Sequence, residues 1–461
     1  MTNRRLLKIA FVAACLLMLA SGIDLGLLHN YANQGIPIYI FRDNTPTNNP
    51  IGDRGATLGR VLFYDKQLSL NATTACASCH LQAFAFGDTA IRSRGFDGGL
   101  TERHSMRLVN ARFSRLERFF WNKRAQNLEA QTTEPLHDPL EMGFSGTNGQ
   151  PDLDSLLRRM ATLQRYQILF PWVFGDSNIT EQRISRALAQ FVRSMQSFDS
   201  KYDIGRLPLL NDFPDFHNFS PDENAGKRIF LNQQPIGANC NACHHAPEFE
   251  IDPNSLNNGI INKAVGLSGI DLTNTRAPSL RDLINPAGQP NGPFMHNGAL
   301  ATIDAVIEHY NLIPSRPENT HLDNRLTGPG GNLQLTSLQK QQLAIFLQTL
   351  TGVDIYVNPK WADPFDSTGN LIFTGQPSSV FIPAPLKLKL YPNPTTDFVY
   401  TDLEPGTYAF KLVDMQGSVL KSGWYEAGEP ISVQNLPPAI YLVYFTSRAN
   451  RQQFKAKFVK G

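Results

Sequence analysis

Cysteine is scarce in this chain, with five among 461 residues. One of them, Cys15, lies in an apolar N-terminal stretch. The other four form two copies of one short string, so no thiol is left over for a disulfide framework. Neither sign of charge dominates. Lys and Arg number 42 against 40 Asp and Glu, a formal charge of +2, and that balance argues against a nucleic-acid partner. Long apolar runs are also missing: the N-terminal run Ile9 to Leu19 falls short of the ~20 residues a membrane-spanning helix needs. Proline (31) and glycine (34) are plentiful, which suits a loop-rich exported protein.

The N-terminus predicts export. Arg4, Arg5 and Lys8 precede the apolar run, and Ala20, Ser21 and Gly22 offer a cleavage site, so residues 1–22 read as a signal peptide. A lipid anchor at Cys15 is the alternative, disfavoured because Leu16 to Leu19 continue the apolar run past it. The expected location is the periplasm, the outer-membrane surface or the medium.

The remaining cysteines carry the chemistry. Cys76-Ala-Ser-Cys79-His80 and Cys240-Asn-Ala-Cys243-His244 have the spacing by which c-type haem is attached. Two thiols add across the vinyl groups, and the adjacent imidazole becomes an axial iron ligand. A four-cysteine zinc site and two redox-active thiol pairs are the alternatives. The histidine after each pair and the predicted export favour haem. Two such sites mean two irons, hence redox function.

Periodicity outlines the architecture. After a polar lead-in (23–50), an apolar pattern from Leu58 to Phe63 predicts a helix running toward the first haem string. A helix at roughly 180–198 places Ile184, Leu188, Phe191, Val192 and Met195 on one core-facing stripe. Residues 205–219, with Gly205, Pro208 and Pro214, read as a linker. Ser220-Pro-Asp-Glu223 then forms a capping box with proline at the first helical position. Another helix is expected at about 336–350, stopped by Gly352. Beyond a linker at 361–385, Leu386, Leu388 and Leu390 alternate with lysines, Met415-Gln-Gly-Ser418 reads as a turn, and Tyr441 to Phe445 follows a Pro-Pro turn, all signs of short strands. The expected fold is mainly α: two cytochrome c-like haem domains (51–215 and 216–360), then a small C-terminal β-sandwich (386–461).

Further residues show a family likeness over about residues 50–365. They include Leu58-Gly-Arg-Val-Leu-Phe63, Arg103, Asn110, Phe120-Trp121, Arg124, Leu128-Glu129, Gln131, Pro135 and Glu141-Met142. In the second half they include Arg276-Ala-Pro-Ser-Leu280, Pro293-Phe-Met-His-Asn-Gly298 and His309-Tyr310. This set resembles the bacterial di-haem cytochrome c peroxidase/MauG family. The resemblance implies that the first haem is the peroxide site, with His80 as its proximal ligand. It makes Glu141 the distal carboxylate, and Gln131 and Pro135 distal-pocket residues. A carboxylate there can carry the proton that O–O cleavage requires. Trp121 would lie between the haems and relay electrons; its plainer role is a core aromatic. Arg103 and Arg124 would pair with haem propionates or form ordinary ion pairs. Asn122 and Lys123 depart from the family's usual Asp-Gly.

For the second haem the resemblance implies His244 as proximal ligand. Tyr310, fourteen residues after His296, stands where the family's peroxidases have methionine and MauG has tyrosine. His309 and Met295 are rival ligands, while His245 and His296 are expected to shape the pocket or hydrogen-bond. Leu81 to Glu102 holds no His and no Met that could block the first iron, so that iron is expected to be open in the resting protein. His104 replaces the family's usual Asn, which weakens an interhaem calcium site, although Asn291 and Pro293 carbonyls remain available.

At the C-terminus, Leu390-Tyr-Pro-Asn-Pro-Thr-Thr396, Asp414-Met-Gln-Gly417, Pro438-Ala-Ile-Tyr-Leu442 and the basic end Lys455 to Lys460 resemble the type IX secretion sorting domain. A generic adhesive or sugar-binding sandwich is the alternative, and no clustered aromatics support it. The expected protein is therefore an exported di-haem c-type peroxidase. It would take electrons from a donor cytochrome or other small redox protein and be handled by the type IX machinery. The alternatives are a MauG-like oxidase that uses high-valent iron on a protein or small molecule, and a non-enzymatic electron-transfer cytochrome.

Overall fold

The computed structural model describes residues 28–115, 118–232, 238–327, 331–372, 386–414, 419–447 and 453–461. The signal-peptide reading, Cys15 and the turn at 415–418 fall outside them. The chain forms two compact units, residues 1–376 and 377–461. No helix among the described residues is long and apolar enough to cross a membrane.

The first unit is helical and contains two cores. One core is built on α1 (Asp53–Tyr64), α2 (Leu128–His137) and α3 (Glu181–Ser194). The apolar stripe of α3 is buried as its spacing predicts: Ile184, Leu188, Phe191, Val192 and Met195 all pack inside. The helix stops at Ser194 rather than near residue 198. The Asn110 side chain takes over the next backbone groups, accepting from Ser197 N at 2.9 Å and donating to Ser197 O at 3.2 Å. A side chain that satisfies backbone groups removes the incentive for another helical turn.

The other core is built on α4 (Pro221–Phe230), α5 (Ile303–Asn311) and α6 (Ser337–Gln348). Ser220 and Glu223 make the capping box, and Thr336 with Gln339 makes a second one on α6. Phe230, Phe249 and Phe346 meet with ring centroids 5.4–6.1 Å apart. The two cores share a construction detail. A Cβ on Gly59 of α1 would lie 2.0 Å from the Ala187 carbonyl of α3, and one on Gly226 of α4 would lie 2.0 Å from the Gln342 carbonyl of α6. Each haem string thus follows a helix pressed against its partner through a glycine.

Segments read as connectors are tied down. Gly205 falls inside a short helix, Lys201–Arg206, capped by Ser200. The following stretch is pinned to α4, where Lys227 Nζ donates to Asp212 O at 2.6 Å and Asn224 Oδ1 accepts from Phe216 N at 2.8 Å. Tyr31 of the lead-in is fully buried in the first core, its hydroxyl donating to Lys360 O at 2.5 Å. Trp361 is buried there too, with Nε1 donating to Ser194 O at 3.1 Å. The chain therefore returns to the first core after building the second, which joins the haem regions into one unit.

In the second unit one sheet has the strand order Leu386–Lys387, Gln453–Lys460, Ala439–Ser447, Thr407–Val413, Val419–Glu426. A smaller sheet orders Leu390–Tyr391, Phe398–Thr401 and Ile431–Ser432. Alternate residues point inward as a two-residue period demands. Tyr408, Phe410 and Leu412 from the larger sheet share one core with Leu390, Val399 and Ile431 from the smaller.

Candidate functional site

The first haem string is a single helical turn, Cys76–Cys79, closed by the His80 amide donating to Cys76 O at 3.0 Å. His80 Nδ1 donates to Phe86 O at 3.0 Å, which leaves Nε2 as the free lone pair for a metal. Burial lowers the His80 pKa and keeps the ring neutral. Cys76, Cys79 and His80 line a cavity of about 720 Å³. Burial pushes the Cys76, Cys79 and Cys240 thiols up to about 12. The two pairs also line separate cavities. Among the described residues no cluster of three or more His, Cys, Asp or Glu could hold a metal. A single four-cysteine zinc site therefore has no geometry among the described residues.

Glu141, Gln131 and Pro135 line the first cavity together with His80. Gln131 and Pro135 come from α2, where Pro135 interrupts the helix two residues from its end. Glu141 is set by the turn after α2, whose Asp138 carboxylate accepts from the Leu140 amide at 2.7 Å and the Glu141 amide at 3.1 Å. The Glu141 carboxyl is pushed up to about 7, first by burial and then by the Asp138 charge, with Arg124 opposing. A proton carrier works best at such a value.

Trp121 lines both cavities. Its Nε1 donates to His104 O at 2.7 Å, and its carbonyl accepts from the Thr275 and Arg276 amides. Its ring meets His296 edge-on, centroids 6.3 Å apart. The turn that carries it forms despite the unusual Asn122-Lys123. Phe119 bridges Ala125, and Lys123 Nζ donates to the Pro253 and Ser255 carbonyls, both at 3.0 Å.

In the second cavity the half-buried His244 has a buried Nδ1 with no partner; desolvation lowers its pKa to about 4. His245 turns to Asp252 at 3.0 Å. Tyr310 and Met295 line the cavity, whereas His309 does not and donates to Asn258 O at 2.8 Å instead. His296 lines it with a buried, unpartnered Nε2. His104, buried, bonds to Ala90 O at 2.9 Å. The buried Asn291 amide donates to Asp282 O and Tyr356 Oη, leaving its Oδ1 unpartnered, and Pro293 lines the second cavity.

Two arginines test the fit to haem: Arg107, which the sequence did not single out, and Arg276, which it named without a role. Arg107 and Arg276 are buried, line both cavities, and each leaves Nε without a partner. Neither makes a salt bridge among the described residues. Arg107 donates to Ser279 O at 3.0 Å, and Arg276 reaches only the Met106 sulfur at 3.6 Å. Glu250 acts on Arg276 and Asp282 on Arg107 only through space, and a buried guanidinium without a directly bonded carboxylate is costly. Haem propionates would supply the missing carboxylates, so the residues present fit the group. Arg103 and Arg124 already have protein partners: Arg103 pairs with Asp271 and Asn274, and Arg124 with Glu134 at 2.7 Å.

A family description, di-haem cytochrome c peroxidase, matches residues 53–205, and a second, secretion system C-terminal sorting domain, matches 389–460. The methylamine utilization protein MauG of Methylophilus methylotrophus is 30% identical over 314 residues, spanning 67% of this chain and 85% of the relative. The cytochrome c551 peroxidase of Nitrosomonas europaea is 25% identical over 348 residues, spanning 72% and 90%. Among solved structures, a MauG-like protein associated with microbial copper homeostasis gives a TM-score of 0.58 at 28% identity, covering 72% of this chain and 99% of that one.

Proposed function

Because the chain belongs to the di-haem cytochrome c peroxidase/MauG family, we propose that it is an exported peroxidase that reduces hydrogen peroxide to two waters. Two electrons from an external donor enter at the second haem and are used at the first, and two protons complete the balance. The family implies two c-type haems, and the sorting tail indicates export. The observation that carries the reading is Glu141, held near neutrality in the same cavity as His80.

When bound, the haems supply electron exchange, and the first also supplies a coordination position for peroxide. Cys76 and Cys79 anchor one group, Cys240 and Cys243 the other. His80 and His244 would each bind an iron, and Tyr310 would supply a further oxygen ligand at the second. The Glu141 carboxylate accepts the proton of the nearer peroxide oxygen and delivers it to the departing one. Gln131 orients the peroxide through its amide, and Pro135 shapes the wall beside it. Trp121, which borders both cavities, relays the electrons. Arg107 and Arg276 hold propionates. A calcium ion between the sites would use the unpartnered Asn291 Oδ1, and a spectral change on chelation tests it.

A second reading is supported by Tyr310. A phenolate favours oxidised iron, which suits an oxidase of a protein or small molecule better than a peroxidase fed by a cytochrome. Stopped-flow spectra of the holoprotein with peroxide, with and without reduced cytochrome, separate the two. Rapid cytochrome oxidation supports the peroxidase. A long-lived oxidised species indifferent to cytochrome supports the oxidase.

A further inference from the structure

We infer that Asn258 decides which side chain completes the second haem iron, its carboxamide holding Tyr310 on the metal and Met295 off it. The inference rests on the proposed reading of the second cavity as the haem that receives electrons. Asn258 is a positioning residue, and it touches all three rival ligand side chains. Its Nδ2 donates to the Tyr310 hydroxyl oxygen and to the Met295 sulfur, both at 3.1 Å. Its backbone carbonyl accepts from His309 Nε2 at 2.8 Å, which turns that imidazole away from the cavity.

The amide is not free to rotate away from these partners. Its Oδ1 accepts from the Ile260 amide at 3.1 Å, which directs both Nδ2 hydrogens to the Tyr310–Met295 side. The preceding residue, Asn257, is fully buried and locked to Asn319 by a reciprocal pair of amide bonds, both 2.8 Å. The loop that presents Asn258 is therefore rigid.

The two donated bonds are unequal in consequence. A thioether sulfur is a weak, neutral acceptor, and the Nδ2 bond draws it toward Asn258 and weakens what it can donate to a metal. A phenolate oxygen is a strong acceptor with lone pairs to spare, so it can take the Nδ2 hydrogen and bind iron together. The same NH₂ group thus supports the hard ligand and detains the soft one. Without it, sulfur and oxygen compete on their own affinity for the iron, and a thioether raises the potential.

The test uses ferric spectra and the reduction potential of the second haem in the full-length holoprotein. Asn258→Leu removes the donor. Asn258→Asp keeps the shape and covers the case in which the leucine variant does not fold. Either variant is expected to gain a sulfur-to-iron charge-transfer band that wild type lacks, with an upward shift in potential. Adding Met295→Leu should abolish both changes, an outcome a purely structural role for Asn258 does not produce. Unchanged spectra and potential in both Asn258 variants, beside an altered Tyr310→Phe, overturn the inference alone. A second haem untouched by Tyr310→Phe overturns the ligand reading and the inference with it.

Discussion

If Glu141 carries the proton in peroxide reduction, as proposed, the pH dependence of the reaction should follow its carboxyl. Its carboxyl is raised from 4.5 to about 7, a preference for the neutral form worth roughly 3 kcal/mol. The carboxylate is the form that accepts the peroxide proton. Its population climbs from roughly a tenth at about pH 6 to roughly nine-tenths at about pH 8. The bimolecular rate with peroxide should therefore rise about tenfold over that interval and level off above it. Stopped-flow absorbance of the holoprotein at limiting peroxide measures it. Glu141→Gln should lower the rate by about 10²–10⁴-fold and erase the midpoint. Asp138→Asn removes the like charge while keeping an oxygen for the Leu140 and Glu141 amides, so the midpoint should move to lower pH. The stability term runs in the opposite direction. A raised carboxyl pKa contributes stability that is full below about 4.5 and lost as pH rises through about 7. A rate flat across this range, or a midpoint that survives in Glu141→Gln, refutes the assignment.

Three other outcomes are expected. Trp121→Phe should slow steady-state turnover with a reduced donor more than tenfold while leaving the first reaction with peroxide intact; equal turnover would remove Trp121 from the electron path. Arg193→Met strands the Glu129 carboxylate now held by two bonds of 2.6 and 2.8 Å, so chemical denaturation should show a loss of about 3–5 kcal/mol, partly restored by adding Glu129→Gln. A chain ending at Gln376 should still fold and carry both haems, because the first unit has its own cores; fractionation should find it retained rather than delivered beyond the outer membrane.

Much of this protein is legible locally. The capping boxes at Ser220 and Thr336, the buried stripe of α3 and the alternation in the C-terminal strands follow from periods of 3.6 and 2. The place of Glu141, Gln131 and Pro135 in one cavity came from a family resemblance, and the cavity brings them together. Gly205 and Pro214 misled as linker signals, because a composition of turn residues does not reveal that Lys227 and Asn224 lie close enough to pin the segment. Arg103 and Arg124 were open to two readings, propionate partners or ordinary ion pairs, and each has a protein carboxylate, Asp271 and Glu134, as its ion-pair partner.

The two Cys-x-x-Cys-His strings, the helices leading to them and the short motifs of the sorting tail were legible in the sequence alone, since each is a pattern of residues only a few positions apart. Tertiary structure decided the rest. It buried Arg107 and Arg276 with Nε unpartnered, drew Trp121 to the border of both cavities, raised the Glu141 carboxyl, and brought Asn258, Met295 and Tyr310 within hydrogen-bond reach. Burial and hydrogen-bond partnership depend on atoms that chain distance does not order: Arg107 finds its carbonyl at Ser279, and Asn258 its hydroxyl at Tyr310.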